Sequence, residues 1–355
     1  MQACGGEAHN SESVGALTID KEKVAMGFDV FPRDPKKELK LECTKNDDCS
    51  LAFLKPRLGA AALASASSGG RSRLMVFVHG GHGDYFDTWF NSDANVYWPK
   101  LVRYDTANFG LMDVATFDYF SPFINQAMGV EQIAINLRDM LKERNAVDYD
   151  DIVFVAHSLG GVVTRQLLVD LAKSNDPLYG KIRLVASMAC AYGGALVPLI
   201  AYKLFSRNLQ FKDVGAGSDF LEKLNTAWVI LQKKENPQQR QRPFVWSVRG
   251  EKDQAVLERD AVNGCDTVVR MITTTGSIIV TDEHWDLGSD AFLVNDKIPS
   301  FDDVNSEMLF PKTISQARPG GDDLVNHTEL VKPDSANHST HLALREAFHL
   351  AMIDH

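Results

Sequence analysis

The sequence predicts an α/β chain built on a mostly parallel central sheet with helices on both faces. Two observations lead there. From Leu74 onward, short apolar runs alternate with helix-length amphipathic segments. The apolar runs are continuous rather than alternating, the pattern of strands buried on both faces.

The elements follow in order. Leu74–Val78 (LMVFV) reads as a strand ending in His79-Gly80-Gly81, and Val114–Tyr119 as a second, stopped by Ser121-Pro122. Val130–Arg144 places Ile133, Leu137, Met140 and Leu141 on one helical face. Asp151–Ala156 is a third strand, and Gly160–Lys173 a helix with Val163, Leu167, Leu168 and Leu171 inward. Ile182–Met188 and Pro243–Val248 are further strands, and Ser339–Ile353 a C-terminal helix. Two stretches break the rhythm. The helical, polar segment 202–241 reads as cap-like, and 273–323, rich in Asp, Gly and Pro, reads as an insertion. Residues 1–73 read as an N-terminal extension closing in the Ala/Ser/Gly linker Gly59–Arg73, with weak strand signals in Ala16–Phe31.

Composition excludes several classes of function. Among 355 residues, Lys plus Arg number 37 and Asp plus Glu 47, a net charge of -10 that gives no basic footprint for nucleic acid and no polybasic attraction to anionic lipid. At 45% hydrophobic content the chain is not a disordered one. Five cysteines are too few for a disulfide scaffold, although Cys43 and Cys49 are close enough in sequence for a local bridge. The first residues show neither a charged nor an apolar signal region, and the uncharged run Leu184–Tyr202 is interrupted by Gly193-Gly194 and Pro198. A soluble chain without a transmembrane segment is expected, with the cytoplasm the favoured compartment. Nothing in the sequence sets the oligomeric state.

The motif that carries chemistry is VFVAHSLGGVV, Val153–Val163. A strand runs into Ala156-His157-Ser158-Leu159-Gly160 and straight into a helix, the pattern of a nucleophile elbow. The turn is so tight that small residues are required two positions before and after the serine. Ala156 stands where glycine is commoner. Ser158 then sits at a helix N-terminus, whose N–H groups favour a developing negative charge. An oxyanion hole is expected from the N–H of Leu159 and, after the strand Leu74–Val78, from that of Gly81. His79, His82 and Asp84 also lie close together as a rival metal site, but that set lacks a further ligand, so no metal and no cofactor is expected. Trp89 and Trp98 read as packing residues.

HGGHGDYFDTW (His79–Trp89), FVAHSLGGVVTRQLL (Phe154–Leu168), SDFLEKLNTAW (Ser218–Trp228), GEKDQAV (Gly250–Val256) and NHTELVKP (Asn326–Pro333) occur in that order. Together they resemble the α/β-hydrolase superfamily, and within it the lipase/esterase-like branch that includes the GPI inositol-deacylase-like serine hydrolases. The resemblance covers 74–355 outside the insertion. It implies a serine hydrolase acting on a carboxylic, lipid-like ester, with the triad order Ser, acid, His. His327 fits the base as that resemblance presents it, a loop histidine before the last helix. The competing His284 lies in the acidic run TDEHWDLG, and His338, His341, His349 and His355 lie around the final helix, where packed or solvated histidines are the rule. Asp253, just beyond the strand Pro243–Val248, is the preferred acid and Asp266 the alternative, because Asp266 leads into TVVRMI, itself readable as the last sheet strand. One departure is visible: Met188-Ala189-Cys190-Ala191-Tyr192 stands where such proteins often carry a Thr-Pro-His-x-Gly-like turn, which bears on the acyl pocket. Thioester hydrolysis or acyl transfer would use the same triad, and a non-catalytic binding protein on the same fold is the remaining alternative.

Overall fold

The computed structural model describes residues 41–45, 49–67, 70–121, 127–192, 208–215, 218–231, 243–250, 312–314 and 329–353. The strands are β1 Leu41–Lys45, β2 Cys49–Leu54, β3 Arg73–Val78, β4 Phe90–Asn91, β5 Val96–Tyr97, β6 Asp113–Tyr119, β7 Asp151–His157, β8 Ile182–Met188, β9 Phe244–Gly250 and β10 Lys312–Ile314. The helices are α1 Ala60–Ala66, α2 Trp98–Tyr104, α3 Thr106–Phe109, α4 Val130–Glu143, α5 Leu159–Lys173, α6 Leu209–Val214, α7 Asp219–Leu231 and α8 Ser339–Ile353.

One eight-stranded sheet has the order β1-β2-β6-β3-β7-β8-β9-β10, and β4-β5 is a separate small ladder. β2 is antiparallel to both β1 and β6, and every other pairing is parallel. A mostly parallel sheet whose second strand alone runs backwards, with the elbow after β7, is the α/β-hydrolase fold. Along β3 and β7 side chains sort by strand parity. Leu74, Val76, Val78, Ile152, Phe154 and Ala156 face a core completed by α1, α4, α5 and α7, whereas Met75, Phe77, Val153 and Val155 face a second core with α2, α3 and α8. The four apolar positions singled out on α4 are all buried. On α5 burial runs all round from Leu159 to Val169, because the helix lies beneath its neighbours as well as on the sheet.

The N-terminal region departs from the expected extension and linker. Residues 41–45 and 49–54 supply two sheet strands, and the Ala/Ser stretch forms α1, whose Leu63 is wholly buried. Alanine is the best helix former, so an Ala-rich stretch with one apolar anchor folds where composition alone suggests a spacer. Register also answers the cysteine question. Cys43 lies across from Ala52, three positions along β2 from Cys49, a separation of roughly 10 Å at ~3.4 Å per residue, which no disulfide spans. The first part of the uncharged run, Leu184–Met188, lies in β8, while 193–202 lie outside the described residues; among the described residues no helix is long and apolar enough to cross a membrane. The sheet position beside β9 is filled by Lys312–Ile314, from the stretch read as an insertion, while TVVRMI lies outside the described residues.

The amino edge of the sheet is locked electrostatically. Asp151, at the start of β7, is 1% exposed and receives Arg71 Nε at 2.9 Å and Arg183 Nε at 2.9 Å, with Arg73 Nε at 3.4 Å. Burial by itself would raise its pKa, but the hydrogen bonds and charges of Arg71 and Arg183 outweigh burial and hold the carboxyl below its ordinary value. α8 docks through buried polar contacts: Trp98 Nε1 donates to His341 Nδ1 at 3.2 Å, and His341 Nε2 meets Asp105 Oδ2 at 3.0 Å. Because Nδ1 accepts, the imidazole proton sits on Nε2.

A depressed carboxyl pKa stabilises the fold above the unfolded value, and the contribution disappears as pH falls through the folded value. Asp151→Asn is therefore expected to cost ~3–5 kcal/mol at neutral pH, the usual cost of stranding buried charges. The gap to the parent protein should narrow in acid. Urea denaturation at a series of pH values measures it, and a gap that does not vary with pH would contradict the charge assignment.

Candidate active site

Ser158 links the end of β7 to the start of α5 with φ 52 and ψ -121, a left-handed backbone for a residue that is not glycine. Such a conformation costs on the order of 1–3 kcal/mol and persists only where its surroundings enforce it. Its N–H donates to Met188 O at the end of β8 (3.0 Å), and its C=O accepts from Gly161 N (3.0 Å). Three glycines make the turn possible. A β-carbon on Gly160 would stand 2.3 Å from Val78 O and 2.4 Å from His79 O, so α5 begins against the end of β3. One on Gly161 would meet Cys190 Sγ at 2.1 Å, and one on Gly80 would meet Ser158 Cβ at 2.7 Å. Ala156 is fully buried, in keeping with the small residue expected there. The Ser158 side chain is half-buried, and α5 points its free N-terminal N–H groups at it.

The loop after β3 sorts its own donors. Gly83 N–H closes a turn onto Gly80 O at 3.2 Å, and His82 N–H donates to Ser121 Oγ at 3.2 Å. Gly81 N–H and Leu159 N–H take no partner among the described residues. Gly81 also has open space where a side chain would be, the nearest atom being Ser121 Oγ at 3.9 Å from a β-carbon position.

His79 anchors this loop. Its Nδ1 bonds Gly80 O at 2.7 Å, its Nε2 accepts from Tyr119 N–H at 3.1 Å, and its ring stacks on Tyr119 at 4.1 Å. Tyr119 OH returns a bond to His79 O at 2.8 Å. Both ring nitrogens are thus engaged within the protein, and Asp118 Oδ1 also lies 3.2 Å from Nε2. His82 stacks on Phe211 at 5.4 Å, and Asp84 accepts the N–H groups of Phe86 and Asp87. Among the described residues no group of His, Cys, Asp or Glu could hold a metal ion. Trp89 and Trp98 pack edge-on against Phe77 at 5.1 and 5.7 Å.

Behind the elbow, the unusual turn after β8 is fully buried. Cys190 Sγ reaches Ala156 O at 3.3 Å, and burial pushes its thiol up to about 12. Tyr192 OH shares a 2.6 Å bond with Ser187 Oγ, and its ring lies 3.3 Å beneath the Arg165 guanidinium. Arg165 Nη1 donates to Asn225 Oδ1 at 2.6 Å, and Asn225 Nδ2 to Tyr192 O at 2.7 Å, tying α7 of the cap-like segment to the helix that carries the serine.

Ser158 and Leu159 follow the end of β7, and Gly81 follows the end of the neighbouring parallel strand β3. His327, Asp253, Asp266 and His284 lie outside the described residues. Sequence reasoning missed Gly80 as the residue touching Ser158, and missed Ser121 and Gln210 beside the loop. The Ser-Pro pair after β6 was a signal, but it reads only as a strand stop.

No family model matches the sequence, and no curated protein matches it. Solved structures do. Phospholipase PlaB from Legionella pneumophila is similar at 17% identity over 52% of this chain and 38% of that one, with a TM-score of 0.41. Lipase BlEst2 from Bacillus licheniformis is similar at 13% identity over 75% of this chain and 89% of that one, TM-score 0.36. Epoxide hydrolase CorEH is similar at 14% identity over 54% of this chain and 57% of that one, TM-score 0.29. The matched region thus spans well under half of the phospholipase chain. The sheet order and the strand–helix turn at Ser158 define a protein of the α/β-hydrolase fold.

The contacts separate two glycines. Gly160→Ala drives a β-carbon into main-chain carbonyls that cannot rotate away, so destabilisation at or above the upper end of ~1–3 kcal/mol is expected, with no side-chain change that rescues it. Gly161→Ala strikes the Cys190 side chain instead, at both Sγ (2.1 Å) and Cβ (2.5 Å), so adding Cys190→Gly, which removes both atoms, should recover part of the loss. Thermal and urea denaturation of the three variants test this, and a Gly160→Ala protein within ~0.5 kcal/mol of the parent would refute the close approach.

Proposed function

We propose that this chain is a serine hydrolase that cleaves a carboxylic ester, lipid-like in character, through an acyl-enzyme on Ser158. The observation that carries the reading is the enforced left-handed backbone at Ser158, with two unpartnered N–H groups beside it. The close packing of three glycines around the turn holds this backbone, and the strained turn presents the half-buried hydroxyl at a helix N-terminus. The lipid-like substrate rests on the motif resemblance to the lipase/esterase-like branch and the GPI inositol-deacylase-like proteins.

Ser158 Oγ attacks the ester carbonyl carbon while His327 takes its proton. The carbonyl oxygen becomes an oxyanion and receives the N–H groups of Gly81 and Leu159. Collapse expels the alcohol, which carries away the proton from His327. Water, deprotonated by His327, then attacks the acyl-enzyme and releases the carboxylic acid. Asp253 accepts the other imidazole N–H, fixing the tautomer and stabilising the imidazolium. The end of β9 supports that choice. β9 runs parallel to β8 and, through it, to β7, so its end at Gly250, three residues before Asp253 in the sequence, lies on the edge that bears Ser158. His327 stands two positions before the turn Glu329–Val331, whose Leu330 and Val331 are buried in the core under α8.

Ser158→Ala should lower ester hydrolysis by at least ~10³-fold while leaving the circular dichroism spectrum and Tm essentially unchanged, and should abolish labelling by a fluorophosphonate. Retained turnover in a clean preparation would overturn the reading. Asp253→Asn is expected to lower kcat by roughly 10²–10⁴-fold with little change in KM, and Asp266→Asn by less than ~10-fold. The reverse ranking would make Asp266 the acid.

A further inference from the structure

The oxyanion loop lies between two serines. Gly80 faces Ser158 on one side, while Gly81 and His82 face Ser121 on the other. Ser121 is 9% exposed and directly follows the C-terminal end of β6 and Phe120. Its hydroxyl has one proton, and that proton goes to Gln210 Oε1 at 2.7 Å. Its lone pairs are thereby turned to the loop, where they receive His82 N–H. Gln210, 1% exposed, cannot flip to offer its NH2 group instead, because Nε2 donates to Phe120 O at 2.8 Å. The chain of bonds Phe120–Gln210–Ser121–His82 therefore has a single direction throughout.

Gln210 belongs to α6, and α6 is fastened to the body independently of the loop. Asn208 Oδ1 accepts from Gln210 N and Phe211 N, and Asp213 Oδ2 accepts from Val130 N–H at 2.9 Å. Ala127 and Asn208 form a parallel bridge. Phe211, next to Gln210, stacks on the His82 ring. The cap-like segment thus grips the loop at one main-chain donor and one side chain.

We propose that Ser121 and Gln210 are positioning residues for the oxyanion hole. By consuming His82 N–H, Ser121 leaves Gly81 N–H as the loop donor that points at the reacting carbonyl, and Gln210 makes the placement of that donor depend on α6. This rests on the acyl-enzyme reading of Ser158. Neither residue touches substrate; both act through the loop. An error of about 1 Å in a preorganised donor costs on the order of 10²-fold in rate, felt in the transition state rather than in substrate binding.

The test uses Ser121→Ala, Gln210→Met and the double variant, with a p-nitrophenyl ester as substrate and a fluorophosphonate as probe. Ser121→Ala is expected to lower kcat about 10- to 100-fold with KM within about 3-fold, and to slow Ser158 labelling in parallel. Gln210→Met should lower kcat by about 3- to 10-fold, and the double variant should be no worse than Ser121→Ala, because the two residues serve one bond. Hydrogen exchange in the peptide spanning 79–84 should quicken in each variant. This last readout does not depend on which residue is the nucleophile, so it judges the wiring even if Ser158→Ala proves active and the acyl-enzyme reading fails. Full kcat with unaltered exchange in a folded Ser121→Ala protein, or strictly multiplicative losses in the double variant, would overturn the proposal.

Discussion

Everything at the carboxyl edge depends on the absence of three β-carbons. Gly80, Gly160 and Gly161 let the oxyanion loop, the start of α5 and the turn after β8 meet around Ser158 at distances no side chain tolerates. The left-handed serine follows from that crowding. Once β3, β7 and β8 end side by side and a helix must leave at once, only one backbone path remains. The strain is offset by two hydrogen bonds to the same residue and by the two hydrophobic layers that clamp the sheet.

The two ends of the sheet have different duties. At the amino edge, charge is spent on holding strands in place: Asp151 gathers three arginines, and Asp113 accepts from Leu58 N, Gly59 N and Tyr149 OH. At the carboxyl edge, polar groups leave selected donors unmatched. His79 illustrates the boundary, since this histidine, one residue before the Gly80 that abuts Ser158, is engaged in joining β3 to β6. Proximity of a titratable group to a reactive one does not make it reactive; the hydrogen bonds it already makes decide.

Much of this was legible from residue order. Periodicity located β3, β6, β7, β8 and α8 because these elements bury whole faces, and burial is what apolar spacing records. The elbow was legible because its steric demand falls on residue size, which a sequence states directly. Two kinds of feature were not. The strands 41–45 and 49–54 and helix α1 are short and compositionally bland, and only the sheet edge and the pocket for Leu63 give them shape. The Ser121–Gln210 pairing joins residues far apart in the chain through single hydrogen bonds, and nothing in local composition encodes such a meeting.

Cys190 occupies the space that a β-carbon on Gly161 would need, and it does so as a thiol whose burial keeps it protonated. A protonated, solvent-excluded sulfur is a poor nucleophile and a poor target for peroxide or alkylating agents. The wall directly behind the candidate catalytic serine is therefore chemically inert although it contains a cysteine. For covalent profiling this means that a thiol reagent and a serine reagent interrogate different places in the protein, and inactivation by the former would report on the chain outside the elbow.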